Sequence, residues 1–280
     1  MKDWYYLLKK LWRDKSARIG MLIIAVVAVS ALAAPLLTPY EPNTQDLSIA
    51  AQAPSFSHPL GTDLYGRDLL TRLIYGARVS LGIGLCATLL AVLIGTTVGL
   101  ISGYAGGWVD NILMRIVDVL LGFPRLFVIL LAVGLSTPSV KIIILILGAL
   151  SWMEIARIVR GEVIVIREML YVKSAVALGI SKRKILLEYI LPNTTDVITV
   201  YATLLIGTTI IVEASLSFLG LGVQPPDASW GTIINQGRID PINAWWISTF
   251  AGLAIVITVI GINLLGDSLR SLLNPRADQN

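Results

Sequence analysis

Residues 79–103 carry no charged side chain at all. A bilayer is crossed by roughly 20 mostly apolar residues in a row. At that depth water cannot satisfy the backbone, so a lone apolar run of this kind must be a helix. Comparable runs occupy 19–37, 112–135, 140–159, 197–218 and 245–265. The expected fold class is therefore all-α, a polytopic transmembrane helical bundle of six spans. Composition agrees: 14% of residues are charged, against about 25% in soluble domains. One cysteine, Cys86, leaves no intrachain disulfide, and one histidine, His58, leaves no metal cluster of the usual type.

The net charge of +4 matters less than where the basic residues fall. Lys2, Lys9, Lys10, Arg13, Lys15 and Arg18 precede the first span. Arg157, Arg160, Arg167, Lys173, Lys182, Arg183 and Lys184 lie between the fourth and fifth, and Arg270 and Arg276 follow the sixth. With six spans these three regions share one face, which the positive-inside rule makes cytoplasmic. Both termini are expected inside. A cleaved signal peptide ending near Ala31-Leu32-Ala33 is the rival reading of the first span, and it would leave the other orientations unchanged.

The segment 171–193 is too polar to cross and too apolar to float free. Apolar residues recur at Tyr171, Val172, Ala175, Val176 and Leu178, then at Ile185, Leu186, Tyr189 and Ile190, each set at helical spacing. This predicts two short helices joined at Gly179 and stopped by Pro192, with Ser181 as N-cap of the second. Lys182, Arg183 and Lys184 sit in that helix's first turn, where each opposes the dipole by about 0.3–1 kcal/mol. An acidic partner or anionic lipid would offset them. The segment is read as a docking surface for a soluble protein.

Other segments leave alternatives open. The loop 39–78 is a lid over the bundle or a landing surface for an external partner, with 66–75 expected as a short interfacial helix. Gly95, Gly99 and Gly103 form a flat face for a close helix neighbour, in this chain or another. Arg115 and Asp118 are three apart and can pair. Pro124 should break the third span, and Arg125 behind the break faces a pathway, snorkels or pairs internally. Glu213, in the fifth span, is a structural partner for a backbone donor or a base, or a proton-coupling acid. No phosphate loop of the form G-x-x-x-x-G-K-[ST] and no Ser-His-Asp or H-E-x-x-H set occurs. A polytopic membrane enzyme would need polar residues clustered at one interface, which the chain does not show, and a proton-coupled carrier would rest on Glu213 and Asp118.

Several motifs together resemble the permease subunits of ATP-binding-cassette importers, of the dipeptide, oligopeptide and nickel type. They are the run 34–42, APLLTPYEP; His58-Pro59-Leu60-Gly61-Thr62-Asp63 with Gly66-Arg67-Asp68; the run 76–81, GARVSL; the run 213–222, EASLSFLGLG; and Asn263-Leu264-Leu265-Gly266-Asp267. In that family the segment before the fifth span is the ATPase-coupling motif. Gly179, Leu191, Pro192 and Asn193 match it, whereas Lys173-Ser174-Ala175 replaces its usual Glu-Ala-Ala and Tyr189 stands where a histidine is frequent.

The resemblance implies a type I importer fold in the cytoplasmic (inner) membrane of a prokaryote. It divides the chain into 1–75 (tail, first span, outer loop), 76–273 (permease domain with its coupling segment 171–193) and 274–280 (tail). The chain itself would be no enzyme and bind no cofactor. Its partners would be a second, homologous permease, two cytoplasmic ATPase subunits holding ATP and Mg, an extracytoplasmic substrate-binding protein and the lipid bilayer, with no nucleic acid. Di- or oligopeptides are the expected cargo; nickel chelates, glutathione and oligosaccharides are the alternatives.

Overall fold

The computed structural model of the protein describes residues 4–137 and 139–273, with side chains from residue 9 onward. The C-terminal tail 274–280 lies outside the described residues. The chain begins with α1 (Trp4–Arg13), an amphipathic helix, and enters the bundle through α2 (Lys15–Leu32), whose first turn is capped by Asp14. At 18 residues α2 is about 27 Å long, enough for a hydrocarbon core of about 30 Å with slight thinning. A single turn, α3 (Ala34–Leu37), ends the first span, so the apolar run expected at 19–37 is a helix followed by a separate turn.

Next comes α4 (Leu69–Ala105), the longest helix. A separate interfacial helix at 66–75 does not form. Asp68 caps this helix, accepting from the Thr71 N–H at 2.8 Å and the Thr71 hydroxyl at 2.7 Å. No proline interrupts the run from there to 105, so helix propagation simply continues into the span. The 75/76 division falls inside α4.

The third span is broken, and the fourth is interrupted locally without a sharp bend. α5 (Gly107–Leu121) and α6 (Arg125–Gly134) meet at an 80° bend. Pro124 sets the break, since its missing N–H and fixed φ end one helix and begin the next. α7 (Val140–Ala149) and α8 (Trp152–Arg167) follow, separated at Leu150-Ser151. The connecting α9 (Leu170–Ala177) and α10 (Lys182–Lys184) lead through a π-helical stretch (Ile185–Ile190) into α11 (Leu191–Phe218). α12 (Trp230–Gly237) and α13 (Trp245–Leu273) close the chain. With the bent pair α5–α6 counted as one, up to six helical segments are long and apolar enough to cross.

Named contacts fix the up-and-down order. Ser268 donates to Asp14 at 3.1 Å, which puts the end of α13 beside the start of α2. Arg78 donates to the Ala31 and Leu32 carbonyls, which puts the start of α4 beside the end of α2. Arg167 donates to the Gly103 and Tyr104 carbonyls, both at 3.1 Å, joining the ends of α8 and α4. The start of α2, the ends of α4, α8 and α13, and therefore α9 and α10, all lie on one face, called here the terminal face.

The tightest helix pair is α4 with α8. A Cβ on Gly95, Gly99 or Gly103 would stand 2.6 Å from the Trp152 carbonyl, 2.7 Å from the Ala156 carbonyl or 2.8 Å from the Val163 side chain. The glycine face is thus occupied by this chain's own α8. Asp110 and Arg160 lock the same corner through paired bonds of 2.5 and 2.6 Å, with Ser102 donating to the same carboxylate.

Candidate functional site: an exposed elbow and an intramembrane cavity

The segment 171–193 forms an elbow on the terminal face. Gly179 makes the bend at φ +74°, a left-handed conformation that costs an L side chain about 1–2 kcal/mol. Ser181 precedes α10, but its side chain makes no capping bond. Pro192 does not stop the second helix. Instead the turn before it widens: the Leu191 N–H reaches the Leu186 carbonyl, five residues back. A proline ring clashes with the carbonyl four residues before it in a regular α-helix, and the π-helical register moves that carbonyl away. The helix therefore runs on into the fifth span.

The elbow has two unlike sides. Val172, Ala175 and Ile185 are buried in a core with Leu100, Ile155, Val159, Val163 and Ile166. These three, expected at a partner's surface, anchor the elbow on its own bundle because their face meets the ends of α4 and α8. Leu186 is partly buried against the same core. Tyr171, Val176 and Leu178 are exposed, Leu178 at 80%. Leu170, missed by sequence reasoning, is 84% exposed. Its spacing of eight from Leu178, two helical turns on one stripe, was the signal available. Lys173, in place of the usual acid, bonds Glu168 at 3.0 Å and holds that carboxyl below the ordinary range.

The polar residues of the third span do not pair with each other. Asp118 bonds Arg157 of α8 at 2.5 Å, and Arg115 is exposed. Asp118 is drawn away because α5 packs along α8, which presents Arg157 at its level. Arg125 lies at the first residue of α6 and donates to the Ser151 hydroxyl at 2.5 Å, while its Nε is buried with no partner. A cavity of about 320 Å³ opens between the two helix breaks, lined by Phe123, Pro124, Arg125, Ser151, Met153 and Glu154 among others.

Glu213 is fully buried in α11. Ser217 donates to it at 2.7 Å and Ser80 at 3.2 Å. Ser80 in turn accepts the Trp230 N–H, and Ser217 accepts the Val223 N–H and the Ser229 hydroxyl. This carboxyl ties α4, α11, the glycine-rich exit and α12 together. Among the described residues its hydrogen-bond donors are serine hydroxyls rather than a base.

On the face opposite the termini the loop motif folds into a buried polar knot. Asp63 takes Arg67 at 2.7 Å and Arg72 at 3.4 Å. His58 Nδ1 lies 2.9 Å from Asp68, Arg72 donates to the Pro42 carbonyl at 2.9 Å, and Trp246 of α13 donates to the Thr62 carbonyl at 3.1 Å.

Residues 95–279 match the family described as binding-protein-dependent transport system inner membrane component, and residues 3–54 match the N-terminal TM domain of oligopeptide transport permease C. A dipeptide transport system permease protein, DppC, of Bacillus subtilis is 40% identical over 96% of this chain and 84% of its own length. The glutathione transport system permease protein GsiD of Pectobacterium atrosepticum is 39% identical over 92% and 85%. An inward-facing structure of the MetNI methionine ABC transporter shares the fold at a TM-score of 0.59 and 19% identity, over 73% of this chain and 96% of that one.

Proposed function

Because this chain belongs to the family of binding-protein-dependent transport system inner membrane components, a family of ABC importer permeases that are not themselves enzymes, we propose that it conducts di- or oligopeptides through a bacterial inner membrane. The relatives named for dipeptide, oligopeptide and glutathione transport support a peptide cargo. Glutathione is itself a small peptide, so one cargo class covers all three. The terminal face is cytoplasmic in this reading, on the strength of its lysines and arginines.

The observation that carries the mechanism is the divided elbow. Val172, Ala175 and Ile185 fix it to the ends of α4 and α8, leaving Leu170, Tyr171, Val176 and Leu178 free to enter an ATPase groove. Two ATPase subunits holding ATP and Mg would grip this elbow and that of a second, homologous permease. Their closure would press on α9, and because the anchoring residues sit in one core with α8 and α4, the push would reach the broken helices of the pathway. An extracytoplasmic binding protein would deliver the peptide to the opposite face. Arg115, Asp118 and Arg125 belong to the pathway-side span, and Glu213 holds the opposite end together.

Proteoliposomes containing the assembled complex provide the test. Peptide uptake is expected to require ATP inside and the binding protein outside. Uptake by this chain alone, driven by a proton gradient, would overturn the reading.

A further inference from the structure

The two helix breaks lie at one depth. α5 has 15 residues and α8 has 16, and both run from the terminal face. At 1.5 Å per residue the breaks stand about 22–24 Å along the helices from that end, near the middle of the runs 112–135 and 140–159 expected to cross. Arg125 and Glu154 both line the cavity between them. On insertion scales a lone charge at mid-membrane costs about 2.5–3.5 kcal/mol. Opposite charges there call for water or a ligand.

Three features converge on one wall. The Arg125 guanidinium is tethered by Ser151, so it is held in place without being neutralised. Its Nε is buried and without a partner. Arg125 also opens α6, so the positive end of that helix dipole adds to the guanidinium. The remaining wall is apolar, from Leu120, Leu121, Phe123, Val128 and Leu150, with the Glu154 carboxylate as the one acid.

We infer that this cavity is a way station for the peptide, with Arg125 and the start of α6 taking its terminal carboxylate and Glu154 its terminal ammonium. The inference rests on the peptide-cargo reading above. A volume of about 320 Å³ sits at the small end of ligand pockets, the size for a dipeptide or for the end of a longer chain. Arg125 touches cargo in this scheme, so it is a binding residue.

The test uses the complete transporter in proteoliposomes with its binding protein and a radiolabelled dipeptide. R125K keeps the charge and R125Q keeps only a donor toward Ser151. Uptake is expected to stay within about threefold for R125K and to fall at least tenfold for R125Q. Equal uptake by R125Q and the parent, or rescue by Gln and not Lys, would overturn the site and leave a tether alone. Where R125Q does not assemble, a photo-crosslinking residue replaces Leu121 in the otherwise native chain. Labelled dipeptide is expected to attach there during turnover, and no attachment in a complex that imports the dipeptide would equally overturn it. No uptake of any peptide by the parent complex sinks the cargo reading instead.

Discussion

The two faces of the molecule are built on opposite plans. On one, the loop 39–68 and the start of α4 bury a charge network: Asp63, Arg67, Asp68 and Arg72 are tied to one another, to His58, to the backbone or to α12. On the other, the elbow turns Leu170, Tyr171, Val176 and Leu178 outward. A buried charge network is costly to open once formed, because removing one member leaves the others unpaired. It suits a surface that must keep its shape while something docks and leaves. An exposed apolar helix has no reason to exist in an isolated chain and gains its stabilisation from a partner. Rigidity is placed where cargo would arrive, and adhesion where force would enter.

Substitutions can break that contrast in order of their effect on stability. Asp63→Ala strands two buried guanidinium groups and is expected to destabilise the protein by about 3–5 kcal/mol, seen as loss of monodisperse protein in detergent. A melting temperature like the parent's would mean the knot is an ornament of the loop. Ile185→Asp puts an unpaired charge into the core shared with α8, at about 3 kcal/mol or more. Were it instead to leave melting untouched and only release the ATPase, the division of the elbow would be drawn in the wrong place. Gly179→Val forces a β-branched residue to φ +74°, at about 1–2 kcal/mol, and is expected to cut uptake per ATP hydrolysed. Uptake unchanged at a lowered melting temperature would remove the bend from the mechanism. Leu178→Asp, on the exposed side, should shift stability by no more than about 0.5 kcal/mol and yet abolish co-purification of the ATPase. Retention of the complex would show that the outward leucines are not the grip.

How much of this was legible depends on the range of the interaction concerned. The break at Pro124 and the bend at Gly179 were readable, because each follows from the backbone chemistry of a single residue. So was the close face of Gly95, Gly99 and Gly103, which needs only helical spacing. Its neighbour α8 was not, since nothing local says which helix will approach. Arg115 and Asp118 looked like a pair at three residues apart, but Arg157, distant in sequence, took the aspartate. Asp110 with Arg160 escaped notice for the same reason. The stop expected at Pro192 failed because a π-helical turn, stabilised by the packing of Ile185 and Ile190, absorbed the ring.

That this chain is a bundle of membrane-crossing helices with a basic, amphipathic segment between the fourth and fifth follows from its residues alone. Hydrophobic run length and charge placement are properties of the chain that survive any arrangement of its helices. Which apolar residues of that segment are spent on the bundle and which remain outward was set by the packed fold, as was the meeting of Arg125, Ser151 and Glu154 around one cavity. Those outcomes turn on side chains brought together from separate helices, and pairing across such distances is settled by packing as a whole.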